Sequence, residues 1–363
     1  MTRRCAAIAL AALTLQGCGF VQRSIAVNLR YAVDIPHRDW RVPSSPLPPL
    51  PEAKTPASLL DQDGDGLPDS REDALARRFA PIVYHERSEL HKPTNVDAFL
   101  RRVKLAYYDD DCKPDLKLEL SVVTQEQLLT PWQLPTCGSS YVVRADGTRS
   151  RRKQHTYFLE DVETPADRAG SSDPSEWTTY VHAYPNDQGG VTLQYWRVYA
   201  YNGLFPEHGG DWEGIHVVLD GRDRPVRVRL LGHRDIEELP PALMAWERLD
   251  AGDHPVIFAD RGGHTSDAAG DWKGQRQETW QVGGLVNVGE KSRPLNGQEF
   301  IRYSGLWGTP GTFYETGGYW GPAYNETGMD EETGFITAWC EGMRDPGKVV
   351  DGVRECYPTA QSR

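Results

Sequence analysis

Beyond Pro81 the chain is a succession of short apolar and aromatic runs, VTLQYWRVYAY, GIHVVL, VRVRLL and HPVIFAD among them, with clusters of Gly, Asp, Asn and Pro between them. Runs of this length separated by turn residues predict strands, and several in one chain predict a β-sandwich or barrel. The 363 residues suffice for one large domain or two smaller ones. The expected fold is mainly β, an antiparallel β-sandwich with a few short helices. One helix is expected over 69–80, DSREDALARRFA, where Leu75 and Phe79 fall at helical spacing and Pro81 stops the run. A second is expected within 235–248, DIEELPPALMAWER. No internal repeat is visible.

The first twenty residues, MTRRCAAIALAALTLQGCGF, carry two arginines, an apolar stretch and small residues before Cys18, the pattern of an export signal. The apolar stretch falls short of the about 20 residues a spanning helix needs. Leu15-Gln16-Gly17-Cys18 resembles a bacterial lipobox, which implies a signal peptide over 1–17 and a lipid on Cys18; the alternative is an ordinary cleaved signal. Gly19 resembles the residue that follows the lipidated Cys in outer-membrane lipoproteins, so the expected location is the outer membrane or cell surface. Residues 18–60 end in a proline-rich stretch, VPSSPLPPLPEAKTPASLL, expected as an extended tether. Export leaves Cys112, Cys137, Cys340 and Cys356 in an oxidising compartment, where two disulfides are expected. The simplest pairing is 112 with 137 and 340 with 356, one of three connectivities. A formal charge of −12 argues against a nucleic-acid partner, which needs a basic face, and suits calcium.

Residues 61–72, DQDGDGLPDSRE, match a twelve-residue calcium loop position by position. Oxygen donors fall on Asp61, Asp63, Asp65, Asp69 and Glu72, Leu67 offers its backbone carbonyl, and Gly66 supplies the sharp turn. The segment resembles the DxDGDGLPD loops of extracellular bacterial proteins and thrombospondin-type repeats. A calcium loop with its short helix is therefore expected over 61–78, as a structural staple; the alternative is a solvated Asp/Gly turn without metal.

The stretch EHGGDWEGIHVVL, 207–219, places His208, Asp211, Glu213 and His216 within a few residues. Alternate side chains of a strand share a face, so Asp211 and Glu213 point one way and Trp212 the other. Side-by-side carboxylates repel and lose hydration, which points to a bound cation or to an acid/base pair. His216 is grouped with them on that face, with a satisfied core histidine as its expected role. The alternative is that Asp211 and Glu213 pair with arginines such as Arg197 or Arg261.

The order YWRVYAYNG, GDWE, a strand with the lone His233, then GGHTS resembles the vacuolar protein sorting 62 related domain. FAPIVYHERSELHKPTNVDAFL and GGYWGPAYN fit the same family, so the resemblance runs from about Phe79 to Asn325 and implies one β-sandwich domain over 79–363. HGGDWE is also distantly similar to the heptapeptide of the necrosis- and ethylene-inducing-like proteins. That resemblance implies a second divalent cation of unspecified identity, held by His208, Asp211, Glu213 and His233 and used to engage a sphingolipid sugar head group. Asn202 stands where that family has a further Asp, and Gly209 and Gly210 replace its Arg-His pair.

The leading functional expectation is a lipid-anchored, cation-binding protein that recognises a polar ligand, a glycan or lipid head group. The alternatives are a metal-dependent hydrolase of phosphoesters or lipids, with His264 or His233 as general base, and a structural envelope lipoprotein. Ser266 lacks a GxSxG elbow and is not expected to be a nucleophile. The aromatic, glycine-rich stretch 303–325 is expected to fill the core.

Overall fold

The computed structural model describes residues 47–50, 55–109, 116–120, 124–129, 156–160, 164–204, 207–231, 236–249, 252–268, 276–309, 320–324, 338–344, 349–350 and 353–354. In chain order the elements that frame the site begin with α1 (Asp69–Phe79), β1 (Ile82–His85), β2 (Pro93–Thr94), β3 (Lys104–Asp109), β4 (Leu116–Leu120) and β5 (Thr156–Glu160). They continue with β6 (Thr179–Pro185), β7 (Val191–Asn202), β8 (His208–Leu219), β9 (Pro225–Leu231) and β10 (Ile236–Leu239). The last are β11 (Ala245–Leu249), β12 (Gly252–Ala259), β13 (Ser266–Asp267), β14 (Arg276–Thr279) and β15 (Leu285–Asn287).

The protein is mainly β, with open sheets. A seven-stranded sheet runs β10-β9-β8-β7-β6-β15, with β2 on β7, and a five-stranded sheet runs β11-β12-β1-β14, with β13 on β12. Most neighbours are antiparallel, as expected, but β1 with β12 and β15 with β6 are parallel. A smaller sheet runs β4-β3-β5.

The β7–β8 hairpin is the spine, and both strands are buried along their whole length. Both faces are therefore covered, so even the polar Gln194, Arg197, Asp211 and Glu213 on these strands are buried. On one face Tyr195, Ile215 and Val217 join Ile257 of the five-stranded sheet and Leu75 and Phe79 of α1 in one core. On the other, Trp196, Val198 and Trp212 join Phe99, Phe300 and Trp307 in a second core. Tyr303 and Trp307 in the aromatic stretch thus fill the interior, as expected, whereas 310–319 lie outside the described residues.

Helix α1 carries Asp69 and Glu72 in its first turn and Arg77 and Arg78 in its last, charges that complement the helix dipole. Glu72, Leu75, Ala76 and Phe79 form its buried stripe, and Tyr195 Oη donates to Ala76 O at 2.9 Å. The helix expected within 235–248 does not form. Ile236–Leu239 pairs with β9 as a strand, and only a single 3₁₀ turn, Pro241–Leu243, precedes β11. Pro240 and Pro241 supply no backbone N–H, so a helix there would lack donors, while the edge of β9 offers partners.

Candidate functional site

Two acidic sites stand out, one built locally and one from distant parts of the chain. In the local one, Asp61 accepts from the N–H groups of Gly64 at 2.7 Å and Gly66 at 3.0 Å, curling 61–66 around its carboxylate. Gly66 has φ +96°, a conformation side-chain-bearing residues seldom adopt, as the loop motif requires. Ligand oxygens of Asp61, Asp63 and Asp65 lie within 4.8 Å of one another, and so do those of Asp63, Asp69 and Glu72. Asp63 belongs to both sets. Leu67 anchors the loop by burying its side chain in the core beneath.

Asp63 and Glu72 have no exposed surface, and Asp63 Oδ2 and Glu72 Oε1 accept no hydrogen bond. Burial and then the neighbouring carboxylates push Asp63 up to about 8 and Glu72 up to about 10. Without a cation these groups are held together against both desolvation and repulsion. Hard oxygen donors converging at one point fit calcium, and the residues present therefore suit the ion the loop motif implies.

The second site lies between the two large sheets. Asp211 and Glu213 on β8 face Tyr199 and Arg197 of β7 as direct cross-strand partners, all four buried. The turn after β12 brings in His264, held at φ +55°, whose Nδ1 lies 2.9 Å from Asp211 Oδ2 and whose ring stacks on Tyr199. On its far edge, His264 Nε2 is 3.7 Å from Glu89 Oε1. Burial pulls His264 down, but Asp211 and Glu89 outweigh it and hold the imidazole above its ordinary value. For Glu89, burial acts upward, yet His264 and the N–H groups of Gly262 and His91 bring it to about 2. The arrangement is an imidazole set between two carboxylates that favour its charged form.

Arg197 Nη2 lies 3.2 Å from Ser266 Oγ, and Arg197 Nη1 lies 3.8 Å from Glu278 Oε2. His85 Nε2 lies 2.8 Å from Tyr199 Oη and 3.4 Å from Glu278. Burial raises Glu278 to about 7, with Arg197 opposing. Burial and then Asp211 push Glu213 well above the carboxylate range, with Arg197 again opposing. Neither Glu213 nor Glu278 accepts a hydrogen bond of ordinary geometry. Four buried carboxylates thus share Arg197 and His264.

The residues expected around a second cation are not assembled as one shell. His208 opposes Asn202 across the strands, with ring Nε2 3.2 Å from Asn202 Nδ2 and Nδ1 3.1 Å from Gly209 O. His233 lies outside the described residues. Among the described residues, the only groups of three or more His, Cys, Asp or Glu with ligand atoms that close together are those of the 61–72 loop. His216 is a correction to the sequence reading. It sits an odd number of residues from Asp211 and Glu213, so it faces the opposite core beside Trp196, and neither ring nitrogen makes a hydrogen bond. Ser266 Oγ accepts from Arg197 Nη2.

The sequence reading missed Glu89, His85, Tyr199 and Glu278 as members of this network. His85 and Glu89 sit in YHERSELH, whose density of charge beside a strand was the available signal. For Glu278, inside RQETW, there was none. Of the four cysteines, only Cys340 lies among the described residues, where it is buried.

No family model and no curated protein matches the chain. Among solved structures it is similar to Necrosis and Ethylene inducing Protein 2 from the causal agent of cocoa's Witches Broom disease, at 16% identity over 59% of this chain and 72% of that one, TM-score 0.29. It is also similar to NLPPya in complex with glucosamine, at 13% identity over 73% of this chain and 88% of that one, TM-score 0.34. A structure described as a toxin fold for microbial attack and plant defense gives 13% identity over 68% and 81%, TM-score 0.31. These neighbours are of the kind that the HGGDWE stretch resembles. At such scores the superposition is too loose to pair individual residues.

Proposed function

We propose that this chain is an exported, calcium-stapled β protein that presents a polar-ligand recognition site at the cell surface. The observation that carries the calcium part is the pairing of Asp63 and Glu72, both wholly buried with oxygens that accept no hydrogen bond, inside a loop whose acidic oxygens converge. A divalent ion turns that repulsion into coordination. Calorimetric titration of calcium into chelator-treated protein is the test. Binding weakened by Glu72→Gln supports the site, and absence of calcium uptake by the wild type refutes it.

The recognition part rests on the surplus of buried carboxylate around Asp211 and Glu213, in the same fold as the strands that carry it. A glycan or lipid head group is the proposed ligand class, and the second divalent cation is proposed at Asp211 and Glu213. The metal content of the mature protein tests it: two ions per chain, one of them lost in Glu213→Gln, support the second ion, and calcium alone refutes it. Glycan and lipid arrays, read with and without chelator, test the ligand class.

Lipidation at Cys18, attachment to the outer membrane or cell surface, and disulfides joining 112 with 137 and 340 with 356 complete the proposal on the sequence patterns alone. A hydrolase would need His264 or His233 to move a proton. Asp211 and Glu89 flank both edges of the His264 ring and favour its charged form, a geometry that suits a fixed cation better than a base.

A further inference from the structure

The calcium loop leans on a residue far outside its twelve. Glu72 Oε2 accepts from Asn287 Nδ2 at 2.6 Å, across 215 residues of sequence and in a buried setting. Asn287 closes β15 and is itself held on its other atoms. Its Oδ1 accepts from Gly289 N at 3.1 Å, and its carbonyl accepts from Asn296 Nδ2 at 2.8 Å. Because the Gly289 N–H claims the amide oxygen, the amide nitrogen must face the helix. That fixes the orientation of the group through its hydrogen-bond network.

The consequence falls on Glu72. With Oε2 occupied by Asn287, Oε1 is the oxygen without a hydrogen bond, and the Glu72 carboxylate is one of the three groups drawn together with Asp63 and Asp69. We infer that Asn287 is a positioning residue of the calcium site, holding Glu72 by one oxygen so that the other is aimed at the ion. This rests on the calcium reading of 61–72. It also makes the ion more than a local staple. Since β15 pairs in parallel with β6 at the margin of the seven-stranded sheet, loading the loop fastens α1 to that sheet through the Glu72–Asn287 contact. Partners that orient ligands from outside a shell in this way commonly change metal affinity by about 10- to 100-fold.

The experiment uses the mature chain. Calcium affinity is measured by calorimetry for the wild type, Asn287→Ala, Glu72→Gln and the double variant, and thermal unfolding is followed in excess calcium and in excess chelator. The expected result is an affinity weakened about tenfold or more in Asn287→Ala, a smaller calcium-induced rise in Tm, and no additional loss when the change is added to Glu72→Gln. A merely structural asparagine gives a different pattern: equal destabilisation with and without calcium and unchanged affinity, which overturns the inference. Additive losses in the double variant also overturn it, because Asn287 then does not act through Glu72. If the alanine variant does not fold, Asn287→Ser, which keeps a donor of shorter reach, is read against the same outcomes. A wild type that takes up no calcium defeats the parent reading instead and is recognised before any variant is compared.

Discussion

His264 Nδ1 lies 2.9 Å from Asp211 Oδ2, and the imidazole is stacked on the Tyr199 ring with centroids 3.9 Å apart and planes 5° from parallel. The pair bolts the turn after β12, at the edge of the five-stranded sheet, to the central hairpin of the seven-stranded one. The two layers are joined by charge here and at Arg197 and Glu278, and by apolar packing around Ile257.

Removing the imidazole leaves Asp211 buried beside Glu213 without its cation. His264→Ala is expected to cost about 3–5 kcal/mol, the range for stranding one member of a buried ion pair. Asp211→Asn, which keeps the shape and leaves Glu89 beside His264, is expected to cost less. Urea denaturation of the two variants checks the order.

Glu278 gives stability a definite pH dependence. Its carboxyl titrates near 7 in the folded protein, through burial, against an ordinary value of 4.5. A raised carboxyl contributes stability below its unfolded value and loses it as pH rises through the folded one. Wild type should therefore lose about 3 kcal/mol relative to Glu278→Gln between pH 4.5 and pH 8, read as diverging denaturation midpoints. Parallel curves would show that burial of Glu278 is not felt.

Two left-handed glycines should respond differently to alanine. At Gly210, φ +62°, an added Cβ would meet Trp307 O at 1.9 Å, so the backbone of 303–309 or of β8 must move. Gly284, φ +85°, has nothing within 4 Å of that position. Gly284→Ala is expected to cost about 1–3 kcal/mol from backbone strain alone, and Gly210→Ala distinctly more. Thermal unfolding of both variants, at one pH and one calcium concentration, makes the comparison.

Calcium removal should destabilise the fold from the 61–72 end. Chelator is expected to lower Tm and to speed proteolysis around α1 before the β7–β8 hairpin is cut, since the hairpin is buried on both faces. Mass spectrometry of early fragments locates the first cuts. Initial cleavage in the hairpin would contradict the order.

The acidic cluster of 61–72 was legible because its members lie within twelve residues: spacing alone states which oxygens can approach one another. The strands were legible for a similar reason, since short apolar and aromatic runs alternate with turn residues along the chain. Asp211 and Glu213 could be placed on one face by alternation. What could not be read was the company they keep. His264 is 53 residues from Asp211, and Glu278 is further still from the arginine it faces. The helix expected around Pro240 failed on a related point, because two prolines withhold donors while β9 offers strand partners.

By itself the sequence determined the class of fold, the loop that gathers oxygens between Asp61 and Glu72, and the excess of negative charge at the GDWE stretch. Only the tertiary structure decided that Glu89, His264, Arg197 and Glu278 surround that charge, that His216 turns away from it, and that Asn287 bonds Glu72 across 215 residues. The physical reason is range. Turn geometry and strand alternation act over a few residues and are written in order along the chain. Burial and charge pairing depend on which layers stack, and those contacts join residues that share nothing in sequence except the low-dielectric space between two sheets.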